Sequence, residues 1–393
     1  MGFAADIRLS RGPVMSFMAL GLFWGAFAAS VPEVKRAAGL SDAGLGLALL
    51  VATLGAVAAM WLAPLLERRL GARALGWITG LAACGAVLPG LAGSPATFTL
   101  AMVAACAGYG LLDVAMNARV SALEAASGRG LMNLNHATYS LIYAAAAIAA
   151  GLAREWGASP LAIFGAVAVL SALAALYVLR VPAPAEPAGD EPGTSARQTD
   201  APALSWPLVM SGGAIICLAF LAEQGTEGWS ALHLERSHDA GAAAGAIGPA
   251  LLGLTMGIGR LFGQVATRYL RESVLIRAAA LIAAAGAALA AHAPQLGLAY
   301  VGFTIMGLGL SLIVPTVFAW AGKRIRARDR ALMVSRLSVV GYTGFFAGPP
   351  MMGLLAEAFG LAASFTALAL LLLAIPTALL PLMRRAAPDP IRR

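Results

Sequence analysis

Charged side chains are scarce in this sequence. Asp, Glu, Lys and Arg together make up 12% of its 393 residues, against about 25% in an ordinary soluble domain. Hydrophobic residues supply 60% of the chain. This balance excludes a typical soluble protein and predicts one that is embedded in a lipid bilayer.

Metal-binding and catalytic patterns are also missing. The three cysteines, Cys84, Cys106 and Cys217, fall in apolar stretches, and the four histidines are scattered along the chain. Such spacing predicts no metal site and no redox pair. A phosphate-binding Gly-Lys loop and a nucleophile motif are both absent, which excludes ATP as the energy source and argues against an enzyme. We therefore expect no cofactor.

Long apolar runs are what the sequence does contain. A helix needs about 20 apolar residues to cross about 30 Å of hydrocarbon, and twelve such runs follow one another along the chain. The first run is too long for a cleavable signal peptide and lacks a small-residue cleavage site, so we expect it to remain. The predicted spans are residues 14–32, 43–66, 74–93, 97–120, 131–152, 158–180, 207–228, 246–267, 273–292, 295–319, 331–352 and 360–383.

Lysine and arginine are unevenly divided between the loops on the two sides of these spans. The positive-inside rule then places both termini of a multi-pass membrane protein in the cytoplasm. The net charge of +8 fits contact with anionic lipid, and without a soluble basic domain we expect no nucleic-acid partner. We also expect a monomer. The loops that are poor in these residues contain Lys35, Arg36, Arg154 and Arg236.

A polar segment rich in Pro, Gly and acidic residues, 181–202, divides six spans from six. Its composition predicts a disordered linker. A shift of 199 residues superposes Arg69 on Arg268 and Tyr143 on Tyr342 without a gap, which indicates a duplication. The predicted organisation is a six-helix half over 1–180, a cytoplasmic linker over 181–206 and a second six-helix half over 207–393.

Several short motifs resemble one transporter family. The loop "APLLERRLGAR" at 63–73 resembles the signature between spans two and three of the major facilitator superfamily, although Arg68 stands at its acidic position. The stretches "NLNHATYSL" (133–141), "EQGTEGWSALHL" (223–234) and "GYTGFFAGPPMMG" (341–353) are similar to the fucose-permease-like branch, and most to YbjJ-type inner-membrane transporters. The resemblance implies an all-α membrane protein of twelve helices in two pseudo-symmetric halves.

One carboxylate stands out in "GYGLLDVAMNARVSALE", residues 108–124. Asp113 lies inside the fourth span, where an ionised group is costly unless it faces a cavity or a partner. Burial favours the neutral form of a carboxylate, so Asp113 can exchange protons near neutral pH, tuned by His136 at a similar depth. The family resemblance implies the same role. For Asp113, the alternatives are a structural ion pair with Arg260 and a cap on a kink at Gly110. For His136, the alternative is hydrogen-bonded packing.

The seventh span carries two further carboxylates, Glu223 and Glu227, one helical turn apart. We predict that Glu223 takes part in proton coupling. Glu227 is predicted to be solvated at the periplasmic boundary. Gly225 and Gly228 are expected to break the span near these residues. Arg260 in span eight is expected to snorkel or to pair with an acid.

Polar and aromatic side chains near these groups predict a solute site. The rings can stack on a sugar-like solute, but anchoring and packing are alternatives. Glycines and prolines of span eleven are expected to permit close helix packing and bending. By resemblance, Arg69, Gly71 and Arg73 form a conformational latch. The predicted solute-binding residues are Phe23, Trp24, Asn117, Tyr139, Tyr143, Gln224 and Trp229.

These features together predict a secondary transporter that moves a small polar organic solute, favoured to be sugar-like, by alternating access with proton symport. Proton-driven efflux of drugs or metabolites is the first alternative. It is disfavoured because the Gly-Pro signature of drug antiporters is missing from span five, and its look-alike lies in span eleven. A transporter-like sensor without transport is the second alternative.

Overall fold

The structure, a computed structural model, describes residues 3–181, 206–325 and 329–386. Within these ranges every regular element is a helix. The predicted linker lies almost entirely outside the described residues. The fifteen α-helices are α1 Phe3–Leu9, α2 Arg11–Ala37, α3 Asp42–Met60, α4 Ala63–Leu70, α5 Ala74–Ala86, α6 Pro95–Ser127, α7 Met132–Glu155, α8 Pro160–Arg180, α9 Trp206–Ser237, α10 Ala242–Tyr269, α11 Glu272–His292, α12 Leu296–Gly322, α13 Arg330–Phe359, α14 Leu361–Ala374 and α15 Leu380–Ala386.

Short irregular helices join some of these elements. The 3₁₀ turns Gly71–Arg73 and Leu88–Leu91 flank α5, and the π-helical turn Ile375–Leu379 links α14 to α15. In the described part of the chain, twelve helical segments are long and apolar enough to cross a bilayer. The predicted all-α membrane fold with twelve spans is therefore confirmed.

Local sequence signals explain where several spans begin. The Ser94 side chain accepts a hydrogen bond from the backbone N–H of Thr97, and the Thr97 hydroxyl accepts one from the N–H of Ser94, with Pro95 at the first helical position. Ser159 caps α8 in a similar way, ahead of Pro160. These caps satisfy backbone donors that the first helical turn leaves free, so the helices start at these serines.

Some predicted helix ends are wrong. The second span ends at Met60 rather than at residue 66, and the chain turns before it forms the short helix α4. Helix α6 continues to Ser127 rather than 120, until Gly128 takes the left-handed conformation at φ +67°. The composition of a span marks its apolar centre, whereas the last turns of a helix extend into more polar sequence.

Glycines bring helices into close contact. A Cβ atom on Gly25 of α2 would lie within 2.1 Å of the Tyr143 carbonyl oxygen of α7, and one on Gly344 of α13 would lie within 2.1 Å of the Cys217 carbonyl oxygen of α9. Only a residue without a side chain fits at such positions. The prediction that the span-eleven glycines permit close packing is confirmed.

The described residues form two compact units. Unit one comprises the described residues within 1–188 and 228–257, and unit two comprises those within 189–227 and 258–393. The final turns of α9 and the first turns of α10 thus belong with α1 to α8. The division into halves by chain order, with a boundary at 181–206, stays a prediction.

Candidate functional site

Asp113 lies in unit one, in the middle of the long helix α6. Its Oδ1 accepts a hydrogen bond from Asn117 Nδ2 at 3.0 Å, and the same amide donates to the Asp113 backbone carbonyl at 2.8 Å. Both side chains are half-buried. Asp113 makes no ion pair with any described residue, so the negative charge of its ionised form is not balanced by a neighbouring cation. The bond to Asn117 shows that the two polar groups share one face of the helix.

One end of unit one contains Arg8, Arg11, Arg69, Arg73 and Arg129 and is called the arginine-rich end. His136 lies closer to this end than Asp113 does. Glu124 near the end of α6 accepts the backbone N–H groups of Leu131 and Met132 at the start of α7, which sets the two helices level at that point. Asp113 is eleven residues from Glu124, whereas His136 is five from Leu131, a difference in depth of about 9 Å at 1.5 Å per residue. The predicted similar depth is wrong, because α6 extends beyond its apolar segment. His136 packs edge-on against Phe17, with ring centroids 5.0 Å apart.

Unit two holds the second group of charges. Arg260 Nη2 of α10 lies 3.4 Å from Glu223 Oε1 of α9. One turn further along α9, Glu227 Oε2 accepts a hydrogen bond from Gln224 Nε2 at 3.1 Å. The expected pairing of Arg260 with an acid is confirmed, and its partner is Glu223 rather than Asp113. Two carboxylates therefore face one guanidinium in this part of the chain.

The predicted break in the seventh span is wrong. Helix α9 runs without interruption from Trp206 to Ser237, through both Gly225 and Gly228. Each glycine costs a helix only about 1 kcal/mol relative to alanine, which the packing of a long apolar helix outweighs. Glu227 accordingly lies ten residues before the helix end and is half-buried. Its position in solvent at the membrane boundary stays a prediction.

The aromatic residues proposed for solute contact fall into two groups. Phe23, Tyr143 and Trp229 are at most 1% exposed, and Phe23 stacks on Tyr109 with centroids 4.3 Å apart. Trp24 and Tyr139 are half-buried. The first group has a packing role in this conformation, whereas the second presents ring surface that packing does not cover.

The loop after the second span contains the residues of the predicted latch. Arg69 lies exposed in the last turn of α4, and Gly71 takes a positive φ of +53°, which a side chain would disfavour. The structure therefore confirms that Gly71 provides a tight turn. Arg69 and Arg73 form no ion pair with a described residue, so their latch role stays a prediction.

An ion-pair cluster at the opposite end of unit one was not predicted. Arg154, at the end of α7, donates from Nη1 to Glu235 Oε1 at 2.7 Å and from Nη2 to Oε2 at 3.2 Å. Its Nη1 also donates to the Ala29 carbonyl at 2.6 Å, and its Nε lies 3.6 Å from Glu33 Oε2. The Arg154 side chain is only 2% exposed, so this pairing is well shielded from water.

A second pair of contacts extends this cluster. Arg236 makes two bonds to Asp42, at 2.7 and 3.0 Å, and Lys35 Nζ lies 3.0 Å from the same carboxylate. Three cations and three anions thus join the ends of α2 and α7 and the start of α3 to the end of α9. We name this group the ionic end cluster, consisting of Glu33, Lys35, Asp42, Arg154, Glu235 and Arg236.

Arg119 is a further charge that the sequence analysis missed. It lies in α6, eight residues before the helix end, and is half-buried. The predicted span ended at residue 120, which placed Arg119 at a boundary where an arginine needs no partner. In the described part of the chain, no group of three or more His, Cys, Asp or Glu residues is arranged to hold a metal ion.

The sequence is similar to those of known membrane proteins over most of its length. The chain is 31% identical over 364 residues to an uncharacterised MFS-type transporter of Yersinia pestis, with 92% of each protein covered. It is also 27% identical over 348 residues to the membrane protein MosC of Rhizobium meliloti, covering 88% of this chain and 83% of MosC.

Solved structures share the architecture at lower identity. A bacterial homologue of the human lysosomal transporter Spinster superposes with a TM-score of 0.75 at 15% identity, covering 99% of this chain and 100% of that one. The nucleoside transporter NupG gives 0.71 at 14%, covering 96% of this chain and 98% of that one. A D-xylose–proton symporter gives 0.70 at 14%, covering 99% of each.

The sequence profile of the Major Facilitator Superfamily matches residues 14–335 and 263–393, which together span most of the chain. The relatives and the twelve-helix fold agree with that match and indicate a multi-pass membrane transporter rather than an enzyme. This chain therefore belongs to the major facilitator superfamily.

Proposed function

We propose that this transporter moves a small polar organic solute into the cell together with protons. The observation that carries the proposal is the environment of Asp113, a carboxylate inside a span whose described polar partner is the amide of Asn117. An ionised group inside a bilayer persists where a cation, water or a bound solute compensates it. Since no described cation does so, Asp113 is suited to take up and release a proton during the cycle.

Glu223 is the second proton-coupling candidate, with a different balance of charge. Its carboxylate is paired with Arg260 at 3.4 Å, while Glu227 is one turn away on the same helix. With two carboxylates for one guanidinium, one negative charge remains for a proton to neutralise. His136, which lies between Asp113 and the arginine-rich end in depth, is suited to pass protons along unit one.

The solute is proposed to be sugar-like. Each unit offers half-buried side chains that bind hydroxyl groups or stack on rings: Asn117, Tyr139 and Trp24 in unit one, and Gln224 in unit two. The similar folds of a D-xylose–proton symporter and a nucleoside transporter support a small polar solute. The motifs at 133–141 and 223–234 support membership of the fucose-permease-like branch.

Alternating access is supported by the ionic end cluster. It joins α2, α3 and α7 to the end of α9, which belongs to the second set of six spans in the sequence. We propose that these ion pairs hold the periplasmic side closed and separate when that side opens. The cytoplasmic location of the arginine-rich loops, and hence of both termini, belongs to the same proposal.

A measurement of proton movement tests this function directly. Purified protein is first screened for sugars and nucleosides that raise its melting temperature, because a ligand at 100 times its Kd adds about 2.7 kcal/mol of stability. The protein is then placed in liposomes that contain a pH-sensitive dye, and the selected solute is added outside. We expect the interior to become more acidic as solute enters.

The alternatives give different results in the same vesicles. Alkalinisation of the interior on solute entry indicates antiport and supports efflux. Saturable binding without movement of labelled solute indicates a sensor. Either result contradicts the proposed symport.

A further inference from the structure

A cavity of about 330 Å³ lies at the arginine-rich end of unit one. It is bounded by the junction of α1 and α2, by Ala72 between α4 and α5, by α6 and by the end of α8. Its size is within the range of pockets that hold organic ligands. The proposed transport function does not use it.

Three arginines line this cavity: Arg8, Arg11 and Arg119. The lining includes no carboxylate. Arg11 and Arg119 make no hydrogen bond or ion pair with any described residue, and Arg8 donates only to the Ala4 carbonyl, at 3.3 Å. Three arginines therefore line one cavity, Arg8 and Arg11 exposed and Arg119 half-buried, and none of them forms an ion pair with a described residue.

Acidic side chains on two of the helices that border the cavity are engaged elsewhere. Asp6 of α1 pairs with Arg129 at 2.6 Å, and Glu124 caps the start of α7 through the N–H groups of Leu131 and Met132. Arg119 is the most significant of the three arginines, because it is half-buried about 12 Å from the end of α6. A cation inside a span without a partner is costly, so an anion in the cavity would offset that cost.

The remaining walls are apolar, formed by residues such as Leu9, Leu75, Leu123 and Val178. Guanidinium groups bind phosphate through paired, charge-assisted hydrogen bonds. A phosphate held by arginines above an apolar wall matches the headgroup region of a phospholipid. The short helix α1 supports this position, because its exposed Ile7 can lie at the bilayer surface.

We propose that this cavity binds the phosphate of an anionic phospholipid from the cytoplasmic leaflet, with an acyl chain against its apolar wall. Anionic lipids are concentrated in that leaflet, on the side where we place the arginine-rich loops. Because Ala72 borders the cavity beside Gly71 and Arg73, a bound lipid would also tie the loop between spans two and three to α1, α6 and α8.

The test uses the purified full chain in neutral detergent, titrated with phosphatidylglycerol, with phosphatidylcholine or with inorganic phosphate. Bound lipid is counted by native mass spectrometry, and its effect on stability is measured as a shift in melting temperature. We expect one tightly held phosphatidylglycerol per chain and a rise in melting temperature that phosphatidylcholine does not give. Saturation by inorganic phosphate alone, at the same site, would indicate a free anion and overturn the lipid assignment.

Two substitutions locate the site. Arg11→Gln and Arg119→Gln are each expected to weaken phosphatidylglycerol binding about tenfold or more, because each removes a charged hydrogen-bond donor. Arg119→Lys keeps the charge and loses the planar fork, so we expect an intermediate loss. If Arg119→Gln lowers the melting temperature of the lipid-free protein, Arg119→Lys replaces it in the binding measurement.

The control is Arg384→Gln with Arg385→Gln, two exposed arginines at the end of α15 that lie outside the cavity. We expect this double variant to retain the tightly bound lipid. An equal loss in the control would show general attraction to a basic surface, and unchanged binding in both cavity variants would place the lipid elsewhere. Either outcome contradicts the proposal.

Discussion

At the residue scale, the polar groups inside the spans differ in whether a neighbouring charge balances them. Asp113 has the amide of Asn117, Glu223 has the guanidinium of Arg260, and Glu227 has the amide of Gln224. A carboxylate beside an amide keeps its full charge when ionised, whereas one beside a guanidinium forms a nearly neutral pair. We therefore propose Asp113 for proton exchange, and we propose that Glu223 also contributes to structure through its pair with Arg260.

The pairing in unit two predicts unequal effects of two substitutions. Glu223→Gln leaves Glu227 one turn away to balance Arg260, whereas Arg260→Gln leaves two carboxylates without a cation. We expect Arg260→Gln to lower stability by about 1–3 kcal/mol and Glu223→Gln to lower it by clearly less. Melting temperatures in detergent measure the difference. Equal losses, or a larger loss for Glu223→Gln, would show that the two carboxylates do not share the arginine.

Single residues also show where prediction from sequence succeeds and fails. Asp113, Glu223 and Arg260 are recognisable because an ionisable group in an apolar run is rare. Arg119 was missed because the polar sequence that follows it concealed the last two turns of α6. The partnership of Arg154 with Glu235 joins residues 81 positions apart, and no local pattern in the sequence connects them.

At the element scale, close helix contacts depend on glycine. Helices in lipid associate through tight packing rather than through the hydrophobic effect, so small residues lie where backbones meet. The sequence contains many glycines, and it does not distinguish those at helix contacts from those facing open space. Only the packing of α2 on α7 identifies Gly25 as a glycine at a helix contact.

Two glycine substitutions test this contact. Gly25→Val places a side chain where the Tyr143 carbonyl lies, and we expect it to cost about 1–3 kcal/mol through overpacking. Gly165→Ala is the control, because nothing lies within 4 Å of a Cβ atom there, in the second turn of α8. It should be neutral or stabilise by up to about 1 kcal/mol. Similar unfolding temperatures for the two variants would contradict the α2–α7 contact.

The ionic end cluster predicts an effect on access to its end of unit one. Ala246 of α10 is fully buried and packs near Gly151 of α7. A cysteine placed at Ala246, with Cys84, Cys106 and Cys217 replaced, should react with thiol reagents only when that end opens. We expect Arg154→Gln to raise the labelling rate severalfold, because it removes both bonds to Glu235.

Arg36→Gln is the control for that measurement. Arg36 lies at the same end, but its side chain is 69% exposed and its contact with Glu33 is 3.8 Å long. Exposed pairs of this kind contribute little, so we expect labelling to stay at the background rate. If Arg154→Gln also leaves the rate unchanged, the cluster does not hold that end closed.

At the scale of the whole molecule, the distribution of charge predicts the orientation in the membrane. Short loops rich in lysine and arginine remain in the cytoplasm, and the ionic end cluster, where opposite charges balance, falls on the other side. An epitope tag inserted in the 181–202 segment should be inaccessible in intact spheroplasts and become accessible on lysis. Detection before lysis would reverse the orientation and move the ionic end cluster to the cytoplasmic side.

The central claim is that Asp113 carries the proton that drives uptake, and the Asp113→Asn variant tests it most directly. Asparagine resembles the neutral carboxyl group in shape but cannot titrate. Glu124→Gln in the same helix is the control, because it keeps an oxygen acceptor for the start of α7 and is not one of the proposed proton-coupling residues.

The decisive measurement compares two modes of transport of the identified solute in the same liposomes, solute-for-solute exchange and accumulation driven by an imposed pH difference. We predict that Asp113→Asn retains exchange near the wild-type rate and loses uphill accumulation, while Glu124→Gln retains both. Undiminished uphill accumulation by Asp113→Asn would contradict the account and leave Glu223 as the proton carrier to test.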